Sequence, residues 1–207
     1  MKSLVNLYDA WKKVALRSPH LKIYHVILAI WYYYSEGILG RYTLMDLLGL
    51  SEATTKTLIN FFKRNDILAP IPKKGHHLTK KGKLLGEEIV KSIDIVQEVK
   101  NLDELVVCPE KCIIVVRNAS KKVSDGLKER DNAIFAGACG ATTLIVRGDE
   151  SIVLPNNEPL SPNHQTILKE ILQVNPYDVI IIGSAKNKRV ALLGALSAAV
   201  ALLLLDK

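Results

Sequence analysis

The chain has 207 residues, of which 48% are hydrophobic and 24% charged. That balance excludes a disordered or collagen-like polymer and suits one large domain or two small ones. The formal net charge of +7 is unevenly spread: residues 1–100 hold 16 Lys and Arg against 9 Asp and Glu, whereas residues 101–207 hold 12 of each. A basic half followed by a neutral one points to a polyanion-binding module, residues 1–100, joined to a domain with a different task, residues 101–207.

Three cysteines do not make a disulfide framework, and they read as buried thiols in a reducing compartment. No secretory signal is expected, because Asp9, Lys12, Lys13 and Arg17 interrupt the first twenty residues. Val190 to Leu205 is an uncharged run of 16 residues, short of the roughly 20 that a membrane span needs. A buried core helix is expected there, and a soluble, cytoplasmic protein overall.

In chain order, Leu4, Leu7, Tyr8, Trp11, Val14 and Ala15 recur at helical spacing over residues 3–17, before Ser18-Pro19. A second helix is expected over Lys22 to Ser35, broken by Gly37 and Gly40, and a short third over Thr43 to Leu48, ended by Gly49. Ser51 is the expected N-cap of a fourth helix reaching Asn65. Ile67 to Ile71 and His76 to Leu78 read as strands around the turn Pro72-Lys73-Lys74-Gly75. A long charged helix is expected from Thr79 to about Val99. Beyond residue 101, strands are expected at Cys112–Val116, Thr142–Arg147, Ser151–Leu154 and Val179–Ile182. Helices are expected at Ser120 to Ile134, Asn163 to Val174 and the apolar C-terminus. The order is βαββαβα, a split βαβ-like arrangement with one extra helix, so the fold class is α+β or α/β.

Helix, helix, tight turn, helix and a hairpin with a basic tip is the order of a winged helix-turn-helix. Over residues 20–90, the segments LLGLSEATTKTLINFFKRNDIL and HLTKKGKLLGEEI make the chain resemble the winged-helix domains of bacterial and archaeal transcription regulators. GLKERDNAIFAGACGATTLIV at 126–146 and VIIIGSA at 179–185 make it similar to archaeal proteins with an N-terminal winged helix and a small C-terminal α/β domain of unknown function. That resemblance implies a transcriptional regulator and supplies no mechanism.

Residues 56–83 hold eight basic side chains against the single acid Asp66. With Leu58, Ile59 and Phe62 turned to the core, the opposite helix face is Ala53, Lys56, Thr57, Asn60 and Arg64. It is donor-rich and small at its start, and would enter a DNA major groove about 12 Å wide. Thr54 and Lys63 flank it, Ser51 and the first amides would meet a phosphate, and Asn60 would pair with adenine. Lys73, Lys74 and His76 at the hairpin would lie along the backbone or in the minor groove. The bland alternative is a solvated charged face. Double-stranded DNA is the expected partner, bound by a homodimer in which the 3–17 or 80–100 helix takes part. Trp31-Tyr32-Tyr33-Tyr34 is expected to serve core and dimer packing and not a base-stacking platform.

No catalytic constellation, cofactor motif or metal set is found in the sequence, and no membrane partner is expected. Two glycine-rich turns are ligand candidates: Arg130, Asp131, Gly137, Gly140, Thr142 and Thr143 at one, and Gly183, Ser184 and Lys186 at the other. Helix-start amides beside cations would suit a small anionic effector; alternatively the glycines serve tight packing and Arg130-Asp131 is a structural ion pair. Three functional readings follow: a dimeric DNA-binding transcriptional regulator with a ligand-modulated second domain, an adaptor docking on transcription or RNA-processing machinery, or an enzyme using the 130–143 and 183–189 turns.

Overall fold

The computed structural model describes residues 2–97 and 100–204, and the chain divides into two compact units, Met1–Lys91 and Ser92–Lys207. The first unit runs α1 (Lys2–Ala15), α2 (Ile23–Glu36), α3 (Arg41–Leu48), α4 (Glu52–Arg64), β1 (Leu68–Ile71), β2 (Gly75–Leu78) and α5 (Lys80–Ser92). Leu4 and Leu7 of α1 are buried, and Trp11 donates its indole N–H to the Leu21 carbonyl at 3.2 Å. Leu4 and Leu7 thus turn part of the apolar stripe of α1 into the unit. α2 is buried along most of its length, including Tyr32 and Tyr33.

Gly37 closes α2 with φ of 84°, and the chain then extends through Leu39. Leu39 and His76 exchange backbone hydrogen bonds of 3.0 and 3.1 Å, so a single residue adds a third extended segment beside β2. Gly75 makes this approach possible: a Cβ there would stand 2.4 Å from the Leu39 carbonyl oxygen. Ser51 caps α4 by accepting from the Thr54 amide at 3.3 Å. Thr79 accepts from the Gly82 amide at 3.1 Å and donates to the Asp66 carbonyl at 2.6 Å, which ties the start of α5 to the end of α4.

The second unit continues with β3 (Ile93–Val96), β4 (Glu110–Val116), α6 (Leu127–Phe135), β5 (Gly140–Val146), β6 (Ile152–Val153), α7 (Pro162–Ile171), β7 (Val179–Ala185) and α8 (Lys188–Leu204). The long charged helix expected to about Val99 ends at Ser92, because Ile93–Val96 pairs antiparallel with β4; Val99 lies outside the described residues. A turn of 3-10 helix at Ser120–Lys122 takes the start of the helix expected from Ser120, and α6 begins at Leu127.

The sheet order is β3-β4-β7-β5-β6. β4 and β5 both pair antiparallel with β7, so β4, α6 and β5 form a βαβ unit split by an intervening strand. One sheet face packs Ile113, Val115, Leu144, Val146, Ile180 and Ile182 against Leu168 and Leu172 of the α7 region. The other face carries α6 and α8. Gly183 faces α8, where a Cβ would stand 2.7 Å from the Ala191 carbonyl and the Ala195 amide. Close packing is thus the role of this glycine. Among the described residues no helix is long and apolar enough to cross a membrane; α8 is a largely buried core helix, and Leu205 lies outside the described residues.

His25 of α2 is buried, and its Nδ1 accepts from the Lys22 amide at 3.1 Å. Burial first, and the Lys22 charge second, bring its pKa from the usual 6.5 down to about 4. The folded unit thus holds the ring neutral while the unfolded chain takes the proton more readily. Stability from this residue is complete above pH 6.5 and is lost as pH falls from there toward 4, by about 3 kcal/mol at most. Denaturant unfolding of wild type and His25→Gln at pH 7 and pH 4.5 is expected to show a smaller acid loss in the variant; equal losses would remove this assignment.

Candidate nucleic-acid interface

Each residue of α4 advances about 100° around the helix axis, which sorts its polar side chains into two flanks. Lys56 and Lys63 fall on one flank and Thr57 and Arg64 on the other, with Asn60 between. The first flank opens onto a groove of about 450 Å³ shared with Lys73, Lys74 and His76 of the hairpin. The second opens onto a groove of about 450 Å³ beside α1, where Thr57, Asn60 and Arg64 meet Lys13. The expected reading face is therefore a ridge with a groove on either side, and Asn60 lines both.

The local chemistry leaves these groups available. Leu58, Ile59, Phe61 and Phe62 anchor α4 in the core, while Lys56, Asn60, Lys63 and Arg64 are exposed. Ala53 is exposed on the first turn. The Thr57 hydroxyl donates to the Ala53 carbonyl at 3.0 Å, and the Ser51 and Thr54 hydroxyls lie 2.9 Å apart. Ser51 therefore serves first as a cap, with the Thr54 amide already taken. Among the described residues, no carboxylate lines the hairpin-side groove. His76 sits among the cations with its pKa lowered by burial, and further by Lys63 and His77; at neutral pH it offers hydrogen bonds and not charge.

Sequence reasoning did not single out Arg41 and Tyr42 of α3, which line the same groove. The Arg41 guanidinium lies over the Tyr42 ring, 4.8 Å from its centroid, and pairs with Glu52 at the start of α4 at 3.2 Å. Their signal was their place at the first turn of the short helix, directly after Gly40. Lys13 was equally unmarked, because α1 lies far from α4 in sequence.

The ligand candidates of the second unit are partly brought together. Arg130, Gly140, Thr142 and Ser184 line one pocket of about 290 Å³ with Cys139 and the segment Glu104–Val107. Thr142 donates to the Leu105 carbonyl. Asp131 stays outside, paired with Arg130 at 3.1 Å. Thr143 is buried and, by strand alternation, points to the opposite sheet face. Gly137 ends α6 with φ of 94°, and Lys186 is exposed beyond β7. At the start of α8 the Asn187 side chain accepts from the Val190 amide at 3.0 Å.

The cysteines depart from expectation. Cys108 and Cys139 form a disulfide across 31 residues, and only Cys112 is a buried free thiol. A spacing of 31 residues gave no sign of this pairing, and it removes the basis for reading the compartment from cysteine usage.

With this geometry in hand, the similarities to known proteins can be placed. Residues 107–202 match a family described as "Domain of unknown function (DUF4443)". The solved structure of a hypothetical protein, PH0730, from Pyrococcus horikoshii OT3 is similar at a TM-score of 0.68 and 28% identity, over 88% of this chain and 92% of that one. No curated protein sequence matches the chain. Both matches fit an archaeal family of unknown function, the coarser part of what the sequence led us to expect.

The disulfide closes a loop long enough to be worth roughly 3–4 kcal/mol through the unfolded chain. Reduction of the native protein, or Cys139→Ser, is expected to lower the unfolding free energy of the second unit by about that amount in denaturant titrations. Cys112, whose thiol burial pushes up to about 12, is expected to react with a thiol reagent only on unfolding. Labelling of Cys112 in the folded, oxidised protein would contradict the buried assignment.

Proposed function

We propose that the protein is a DNA-binding transcriptional regulator whose first unit is a winged helix-turn-helix, with α4 as the reading helix and the β1–β2 hairpin as the wing. The observation that carries this reading is the groove in which Lys56, Asn60 and Lys63 face Lys73 and Lys74 with no carboxylate among them. A phosphate backbone supplies the negative charge that such a groove lacks, and Asn60 on the ridge is placed for an adenine edge. The extended residue Leu39 beside β2 supports the same assignment, since it completes a small three-segment sheet of the kind a wing is built on.

The regulator acts inside the cell as a homodimer, because one reading helix spans only one half-site. The second unit contributes the dimer contact or holds a small anionic effector beside Arg130.

Duplex binding measured across a salt series tests the reading. Affinity is expected to fall linearly with log salt, and Lys73→Ala/Lys74→Ala to reduce that slope by about 2. Lys56→Ala/Asn60→Ala/Arg64→Ala is expected to abolish a preference for duplex from the region upstream of the protein's own gene over random DNA. Absence of binding at low salt by the folded protein would overturn the reading and favour the adaptor, whose partner would then be sought among transcription or RNA-processing proteins.

A further inference from the structure

Behind the hairpin, on the side away from the basic groove, lies another cavity of the first unit, about 540 Å³ in volume. Its walls include Tyr34, Ile38, Ile71 and Leu78, and Lys83 and Glu87 of α5 also line it. Two polar groups in its lining are unsatisfied. Tyr33 is 1% exposed, and its hydroxyl is buried with no hydrogen-bond partner. The Nδ1 of His77 is likewise buried without one.

A buried hydroxyl left unpaired costs about 1–3 kcal/mol, and nearly all such groups in folded proteins find a partner. The apolar walls could have been matched by Phe at position 33 with the same ring and no such cost. Burial raises the Tyr33 pKa, so the phenol keeps its proton and can donate. A hydroxyl on a bound molecule could accept from Tyr33 and at the same time pair with His77, while its ring fills the space between Tyr34, Ile38 and Leu78.

We propose that this cavity is a binding site for a small ring-bodied molecule bearing a hydroxyl group, with Tyr33 and His77 as its polar contacts. The site requires nothing of the duplex reading. His77 is adjacent on β2 to His76, which lines the basic groove, so a molecule seated here bears on the strand that forms the wing.

The full-length protein would be titrated with 4-methylphenol and with toluene, which differ by the hydroxyl alone, following the His77 imidazole and the cavity-lining methyl groups by NMR. The expected result is shifts at His77, Ile38, Ile71 and Leu78, and about tenfold tighter binding of 4-methylphenol, the worth of one hydrogen bond of some 1.4 kcal/mol. Tyr33→Phe, which removes no hydrogen bond from the fold, is expected to keep toluene binding and lose the preference. No shifts at these residues, equal affinities in wild type, or a preference unchanged in Tyr33→Phe would overturn the proposal. The wild-type titration decides the matter by itself should the variant not fold.

Discussion

Two hydrogen bonds between Leu39 and His76 hold the geometry on which the candidate interface depends. Three residues separate the left-handed Gly37 from Arg41, the first residue of α3. In that space the chain must stop one helix, lend one residue to a sheet and begin another. Leu39 does the middle task and thereby fixes the hairpin beside the α3–α4 pair. Gly75 is the other half of the constraint, since its backbone approaches Leu39 to a distance no Cβ allows. Once β2 is held there, alternation along the strand does the rest. His76 goes to the groove with Lys56 and Lys63, and His77 goes to the cavity with Tyr33.

The two units also use their positive charge differently, which composition alone could not tell. In the second unit, three cations make internal bonds. Lys111 is buried and bonds Asp103 at 2.6 Å. Arg117 reaches Asp178 at 2.7 Å and the Gln173 carbonyl at 2.7 Å, and Lys122 bonds the Leu202 carbonyl at 2.5 Å. In the first unit, the hairpin-side groove collects Lys56, Lys63, Lys73 and Lys74 without an acid in the lining. Exposed like charges held near one another repel weakly in water. A fold that gathers them gains nothing in stability, so the gathering is more informative than the net charge.

Much of the first unit was legible because its signals are local. Ser51 and Thr79 act as side-chain caps, Gly49 takes the left-handed conformation after α3, and the polar face of α4 follows from its period. What was not legible depends on partners distant in sequence. The strand character of Ile93-Asp94-Ile95-Val96 was masked by the helix running into it, and pairing with β4 decides it. The single-residue bridge at Leu39 has no period to detect. The Cys108–Cys139 bond and the split of the α4 face into two flanks likewise depend on which segments the fold brings alongside. In the second unit the glycine turns were visible, yet Gly183 packs against α8, and Asn187 accepts from the Val190 amide at the start of that helix. Only Arg130, Gly140, Thr142 and Ser184 meet in one pocket.

The two histidines of β2 show how one strand serves two environments. His76 stands where positive charge is already dense, and burial together with Lys63 and His77 favours its neutral form. A neutral imidazole there adds a donor and an acceptor without adding repulsion. Its protonation would bring a further cation into a groove lined by Lys56, Lys63, Lys73 and Lys74, at a cost that a nearby anion would offset. An anion in the groove and a proton on His76 therefore favour one another by linkage. His77 lines the apolar cavity with Tyr33, and the Nδ1 atoms of both histidines are buried without a hydrogen-bond partner. The same alternation that aims one histidine at the basic groove aims the other at the apolar cavity, so the hairpin is the element that the two faces of this unit share.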